Sequence, residues 1–249
     1  MDLTVLNSGS HANCYVLQNE TEAIIIECGC HVQEVLEALN FNTRKVLGVF
    51  VSHAHLDHMR YIEDYMKYFP CYCSKGAIKD FAFKKQRRPF AMEPLKTVQF
   101  GKFSFSVRPF DTEHDCSDPF GFLIKHPEIG TLLFATDTYF IKYQFDGLTN
   151  IMLECNYDLN ILQENVGLGI IPRKLEERTL ESHMSLEHCK QMLSSTDLTQ
   201  VNNIILLHLS KNNAEPARFK REIELLTGKR VHVAERGLQM PINVTPFDL

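Results

Sequence analysis

Along the first thirty residues, short apolar runs alternate with polar connections. Residues 3–6, 14–17 and 23–27 read as strands, and the glycine-bearing segment 8–13 joins the first two. Residues 31–39 change period: Val32, Val35, Leu36 and Leu39 recur at helical spacing, and Asn40-Phe41-Asn42 ends the pattern. The run 46–51 is apolar, β-branched and short, which predicts a strand buried on both faces. A histidine-dense loop follows it at once. Further on, residues 98–109 alternate like an antiparallel strand pair, 121–125, 131–136 and 151–155 read as strands, and 203–207 as another buried one. Helical spacing falls at 186–193 and 216–226. Two groups of strands, each followed by helices, predict an α/β fold, a four-layer αββα sandwich with sheets inside and helices outside.

Composition narrows the class without changing this picture. At 249 residues, with no repeat and no low-complexity tract, the chain is expected to form one domain over residues 1–249. It has no signal-like start and no run of about 18 uncharged apolar residues, so a cytoplasmic, non-membrane protein is expected. The eight cysteines are too sparse for a disulfide scaffold. The pairs Cys28/Cys30 and Cys71/Cys73 lie in strand-like runs and read as buried free thiols. A net charge of −5 argues against a protein built to grip a long polyanion. Lys84, Lys85, Arg87 and Arg88 form the one dense basic run, read as a solvated loop.

The chemistry concentrates in Ser52-His53-Ala54-His55-Leu56-Asp57-His58, which puts three imidazoles and a carboxylate within six residues after a buried strand. Four ionisable groups packed into one turn are costly unless a cation collects them. Neutral imidazoles and a carboxylate suit zinc, manganese or iron. Further donors follow other predicted strands: His114 in Asp111-Thr112-Glu113-His114-Asp115, Asp137 after 132–136, and His208 after 204–207. Each stands just past a strand end, where open sheets gather ligands.

The order H-x-H-x-D-H, a lone histidine, an aspartate after an apolar strand and a final histidine resembles the metallo-β-lactamase superfamily over almost the whole chain. The resemblance implies that His53, His55 and His114 hold one metal ion, that Asp57, His58 and His208 hold a second, and that Asp137 bridges the two. Zinc is the first expectation for both ions. The opening Ser8-Gly9-Ser10-His11-Ala12-Asn13 is similar to the S-G-S-x-x-N start of YycJ-like exonucleases and anti-Pycsar cyclic-nucleotide phosphodiesterases, both related to tRNase Z. His183-Met184-Ser185 ahead of a helix resembles the H-x-S motif whose histidine touches the scissile phosphate in that branch. Ser185 also suits an N-cap that leaves backbone N–H groups for an anion. Two positions depart from the pattern. Glu27 stands where the family usually has an aspartate that orients a ligand, and His11 replaces a small residue in the opening turn. His31, His126, His188 and His232 match no motif.

These readings lead to a dinuclear metallohydrolase in which Asp57 accepts a proton from water and His183, with Ser185, meets the phosphate. The expected substrate is a nucleotide phosphodiester, preferably a small cyclic nucleotide. The anti-Pycsar resemblance would add a role against nucleotide-signalled antiphage defence, and it implies a homodimer. A YycJ-like nuclease and a non-catalytic metal-dependent sensor are the alternatives. Tyr72, Phe81, Phe83, Phe90, Tyr139 and Tyr157 are the aromatics available to stack a base, or else core and rim.

Overall fold

The computed structural model describes residues 1–245, so the last four residues of the expected 1–249 unit lie outside the described part. The strands are β1 (Asp2–Asn7), β2 (Cys14–Gln18), β3 (Ala23–Ile26), β4 (Val46–Phe50), β5 (Cys71–Cys73), β6 (Phe90–Ala91), β7 (Val98–Phe100), β8 (Phe105–Asp111), β9 (Phe120–His126), β10 (Gly130–Ala135), β11 (Asn150–Glu154), β12 (Asn203–Leu207), β13 (Arg230–Val233) and β14 (Gln239–Pro241). The helices are α1 (Val32–Ala38), α2 (Leu56–Met59), α3 (Ile62–Tyr65), α4 (Lys75–Asp80), α5 (Leu159–Gly167), α6 (Arg173–Ser182), α7 (Leu186–Ser194) and α8 (Pro216–Thr227). Among the described residues these strands form two seven-stranded sheets, in the orders β14-β1-β2-β3-β4-β5-β6 and β7-β8-β9-β10-β11-β12-β13.

Both sheets are built alike. Each starts with three antiparallel pairings and ends with three parallel ones. Alternation along each strand sorts the core into layers, because successive side chains point to opposite faces. Tyr15 and Leu17 of β2, Phe122 and Ile124 of β9, and Leu132 and Phe134 of β10 meet between the sheets. From the same first sheet, Cys14, Val16 and Val49 turn outward under Val35 of α1, Met59 of α2 and Ile62 of α3. Leu133, Ile151 and Ile204 turn the other way, under Leu186 of α7 and Phe219 of α8. Strands buried on both faces cannot alternate in polarity, which is why 46–51 and 203–207 read as continuous apolar runs.

The expected elements are present, with ends displaced by a residue or two, and they make the expected four layers. Two parts differ. Residues 156–182 carried no predicted element yet form α5 and α6. The chain also does not end with the second sheet: β14 returns to pair with β1, so the C-terminal strand closes the N-terminal sheet. Among the described residues no helix is long and apolar enough to cross a membrane.

All eight cysteines are free thiols, and seven of them are buried. Cys116 alone is partly exposed, and burial, with Asp115 and Asp137 nearby, pushes its thiol up to about 12. Since the thiolate is the reacting species, the native protein should consume at most one equivalent of an aromatic disulfide reagent, slowly, and eight after denaturation. Rapid titration of three or more thiols in the native state would contradict this core.

Candidate metal centre

The site lies where loops from both sheets converge. After β4, the chain passes through Ser52 and His53 into the four-residue α2, which carries Asp57 and His58. Two segments clamp this short helix. Cys28 N–H donates to the His58 carbonyl and Asn13 N–H to the Asp57 carbonyl, at 2.8 and 2.7 Å. Between them, a Cβ on Gly29 would stand 1.8 Å from the Asp57 carbonyl oxygen, so only glycine lets the strand-end turn pass.

The opening Ser-Gly-Ser turn is part of the same apparatus. The Asn13 side chain accepts from Gly9 N–H at 2.8 Å, and its amide nitrogen lies 3.0 Å from His58 Nε2 and 3.3 Å from Asp57 Oδ2. Ser8 Oγ accepts from the His208 N–H at 3.0 Å. Glu27 reaches its target in spite of the longer arm: Oε2 is 3.5 Å from His58 Nδ1, and the carboxylate accepts from Ser52 N–H at 3.3 Å. It lies behind the His58 ring at ion-pair distance, without a hydrogen bond to Nδ1.

Seven expected residues come together. His53, His55 and His114 form one group of donors, and Asp57, His58, Asp137 and His208 a second, the donor atoms of each group lying within 4.8 Å of one another. Asp137 spans both. Its Oδ2 is 3.2 Å from His58 Nε2 and 3.8 Å from the Nε2 atoms of His53 and His114. Two rings are aimed by their other nitrogen. His53 Nδ1 bonds Ser52 Oγ at 2.8 Å, and His114 Nδ1 donates to the Ser182 carbonyl at 2.8 Å, which leaves each Nε2 facing inward.

The charges of the cluster bias one another. Burial resists charge on Asp137, yet His208 and His58 hold its carboxyl well below the usual range. Asp57 is likewise lowered against burial, by His58 and His208. In return His58 is raised well above the ordinary imidazole value, against burial, by Asp137 and Asp57, and His208 is raised to about 10, against burial, chiefly by Asp137. His53 goes the other way, driven down by burial and then by His58, and its buried Nε2 has no hydrogen-bond partner. An orphaned lone pair beside anionic carboxylates is a donor set that fits divalent metal, and the cluster is able to bind it.

His183 stands at the edge of this cluster, stacked on His208 with ring centroids 5.3 Å apart and planes 13° from parallel. Its Nδ1 bonds Oε1 of the fully buried Glu154 at 2.7 Å, and Glu154 Oε2 accepts from the N–H groups of Thr138 and Met184. Burial pushes His183 down, but Glu154 outweighs it and the imidazole is raised. Glu154 was not singled out in the sequence; the available signal was one acid in the otherwise apolar run 151–155. Ser185 Oγ accepts from His188 N–H at 3.1 Å and caps α7, and the residue does not line the cavity above the cluster.

A cavity of about 340 Å³ opens above the cluster, walled by His11, Ile171, Leu175, Arg178 and Lys211. His11 does form its rim. None of the six candidate stacking aromatics lines it. Tyr157 is buried, and Tyr139 lines a different cavity of about 600 Å³ against α7 that holds none of the seven clustered residues.

Residues 8–132 match the family model of the metallo-beta-lactamase superfamily. The chain belongs to that superfamily. No curated protein matches it in sequence. Among solved structures this superfamily member is similar to the metallo-beta-lactamase fold protein YhfI from Bacillus subtilis, at 16% identity and a TM-score of 0.72 over 96% of this chain and 98% of that one. It is similar to human tRNase Z, short form, at 15% identity and 0.60 over 97% and 99%, and to a diphosphatase of the PhnP family at 14% and 0.66 over 96% and 97%. At such identities the likeness is one of fold, a metallohydrolase fold.

The cap assignment is testable. Ser185→Ala should cost about 1 kcal/mol of stability in urea unfolding, with any loss of activity tracking the unfolded fraction. A KM that rises while stability is kept would return the hydroxyl to the substrate.

Proposed function

We propose that this protein is a dinuclear metal-dependent phosphodiesterase acting on small nucleotides, cyclic ones by preference. The observation that carries the reading is the pair of donor groups joined through Asp137, with the His183–Glu154 pair set against them. His53, His55 and His114 would hold one ion, Asp57, His58 and His208 the other, and Asp137 would serve both. Bound there, two divalent ions supply Lewis acidity that lowers the pKa of water and draws charge from phosphoryl oxygens. Asp57 orients the attacking water and takes its proton at the carboxylate. His183 is held by Glu154 at Nδ1, so Nε2–H is the atom presented to the phosphate, where it neutralises charge or protonates the leaving oxygen. The small cavity and the acidic chain support a compact substrate over a polymer tracked through many phosphates.

Purified protein grown with added zinc or manganese should hold close to two ions per chain and hydrolyse bis(p-nitrophenyl) phosphate in a chelator-sensitive way. Replacing His53 and His55 together by alanine should abolish this turnover. Activity that persists without bound metal would sink the reading.

His183→Ala should keep both ions while slowing hydrolysis by roughly 10²–10⁴-fold. Metal loss in step with activity would instead make His183 a ligand or a fold element. With cyclic mononucleotides and a labelled oligonucleotide in competition, rapid degradation of the oligonucleotide alone would favour the nuclease alternative.

A further inference from the structure

We propose that the cavity above the metal centre contains a second anion subsite, built by Arg178 and Lys211, which selects phosphodiesters carrying another phosphate beside the scissile one. This rests on the phosphodiesterase reading and narrows its substrate class. The two cations come from separate walls of one cavity: Arg178 from α6, Lys211 from the loop after β12.

The Arg178 guanidinium is held by a neighbouring carboxylate, and the backbone of the loop that carries the exposed Lys211 is pinned. Arg178 Nε donates to Asp115 Oδ2 at 2.7 Å, which fixes the guanidinium beside His114, itself 3.1 Å from the other Asp115 oxygen. That bond uses one of the five N–H donors of a planar fork suited to phosphate. Lys211 sits in a loop pinned on each side. Ser210 N–H donates to the Asn156 carbonyl at 2.8 Å, Asn165 Nδ2 to the Asn212 carbonyl at 2.9 Å, and Asp158 N–H to the Asn213 carbonyl at 2.8 Å. Among the described residues no carboxylate lies within ion-pair reach of Lys211.

Counting charge at the cavity points the same way. Glu154 balances His183, and Asp115 balances Arg178. Lys211 is left over. The ammonium of Lys211 and the free N–H donors of Arg178 suit a terminal phosphate, whose oxygens accept several charge-assisted hydrogen bonds.

Equilibrium binding to the metal-loaded protein tests this without turnover, using thymidine 3′,5′-bisphosphate against thymidine 5′-monophosphate. The bisphosphate should bind about tenfold more tightly or better, the worth of one charge-assisted contact, and its advantage should shrink as salt rises. Lys211→Ala should remove most of the advantage, Arg178→Ala should reduce it, and Lys211→Arg should retain it. Equal affinities in the unaltered protein, or an advantage surviving in the Lys211→Ala, Arg178→Ala double variant, would overturn the subsite. An intact advantage together with no hydrolysis of bis(p-nitrophenyl) phosphate would keep the subsite and discard the phosphodiesterase reading.

Discussion

The structure depends on keeping one carboxylate, Asp137, ionised while it is 3% exposed. A lone buried carboxylate would protonate or pull the region apart. Here it is met by imidazoles delivered from three distant parts of the chain: His53 and His58 after β4, His114 after β8 and His208 after β12. Those attachments join the two sheets at one end of the sandwich, as the apolar layer of Phe50, Phe122 and Phe134 joins them along its length. The cluster is therefore a constraint on the fold as well as a site, since its parts meet only when both sheets are in register.

The backbone accommodates this at a cost. Glu27, Asp137 and His208 have φ values of 64°, 45° and 54°, in the left-handed region that side chains other than glycine rarely enter. Glu27 and His208 directly follow β3 and β12, and Asp137 follows β10 by two residues. An extended chain would carry each side chain past the cleft, and a left-handed kink turns it in. Departures of this kind persist where surrounding contacts over-determine them. They do so here through the Ser8 hydroxyl on His208, the Phe50 carbonyl on Glu27 N–H, and Thr136 Oγ1 on Asp137 Oδ1.

The layers were legible in the sequence because burial on one or two faces leaves a period that survives in one dimension. The seven clustered residues were legible because histidine and aspartate have no packing reason to recur at strand ends. What escaped has a different physics. Helices α5 and α6 are rich in polar residues and pack over little of the core, Leu162 being the one side chain of α5 that is buried, so few apolar residues mark their turns. Glu154 was hidden by its strand, since one acid among Ile151, Met152 and Leu153 leaves the pattern intact. The motif serine at 185 was legible as a cap, since a small hydroxyl just ahead of an apolar-periodic run is the usual N-cap signal, and its Oγ does accept from His188 N–H. Arg178 and Lys211 belong to no motif, and their common cavity exists only after α6 and the 209–213 loop are folded.

The electrostatics of the cluster also tie metal binding to the protonation of its donors. Beside Asp57 and Asp137, His58 and His208 are biased toward the protonated form, and a proton on either ring competes with metal for its nitrogen. Metal uptake must displace any such proton, so binding and proton release are linked. The first donor group has no such competition: burial, the largest cause for each of its three histidines, lowers their affinity for protons and leaves free lone pairs. The two halves of one cluster thus differ in their affinity for protons before metal arrives. That difference follows from the carboxylates nearest each half: Asp57 and Asp137 both lie 3.2 Å from His58 Nε2, whereas Asp115, 3.1 Å from His114 Nε2, is also paired with Arg178.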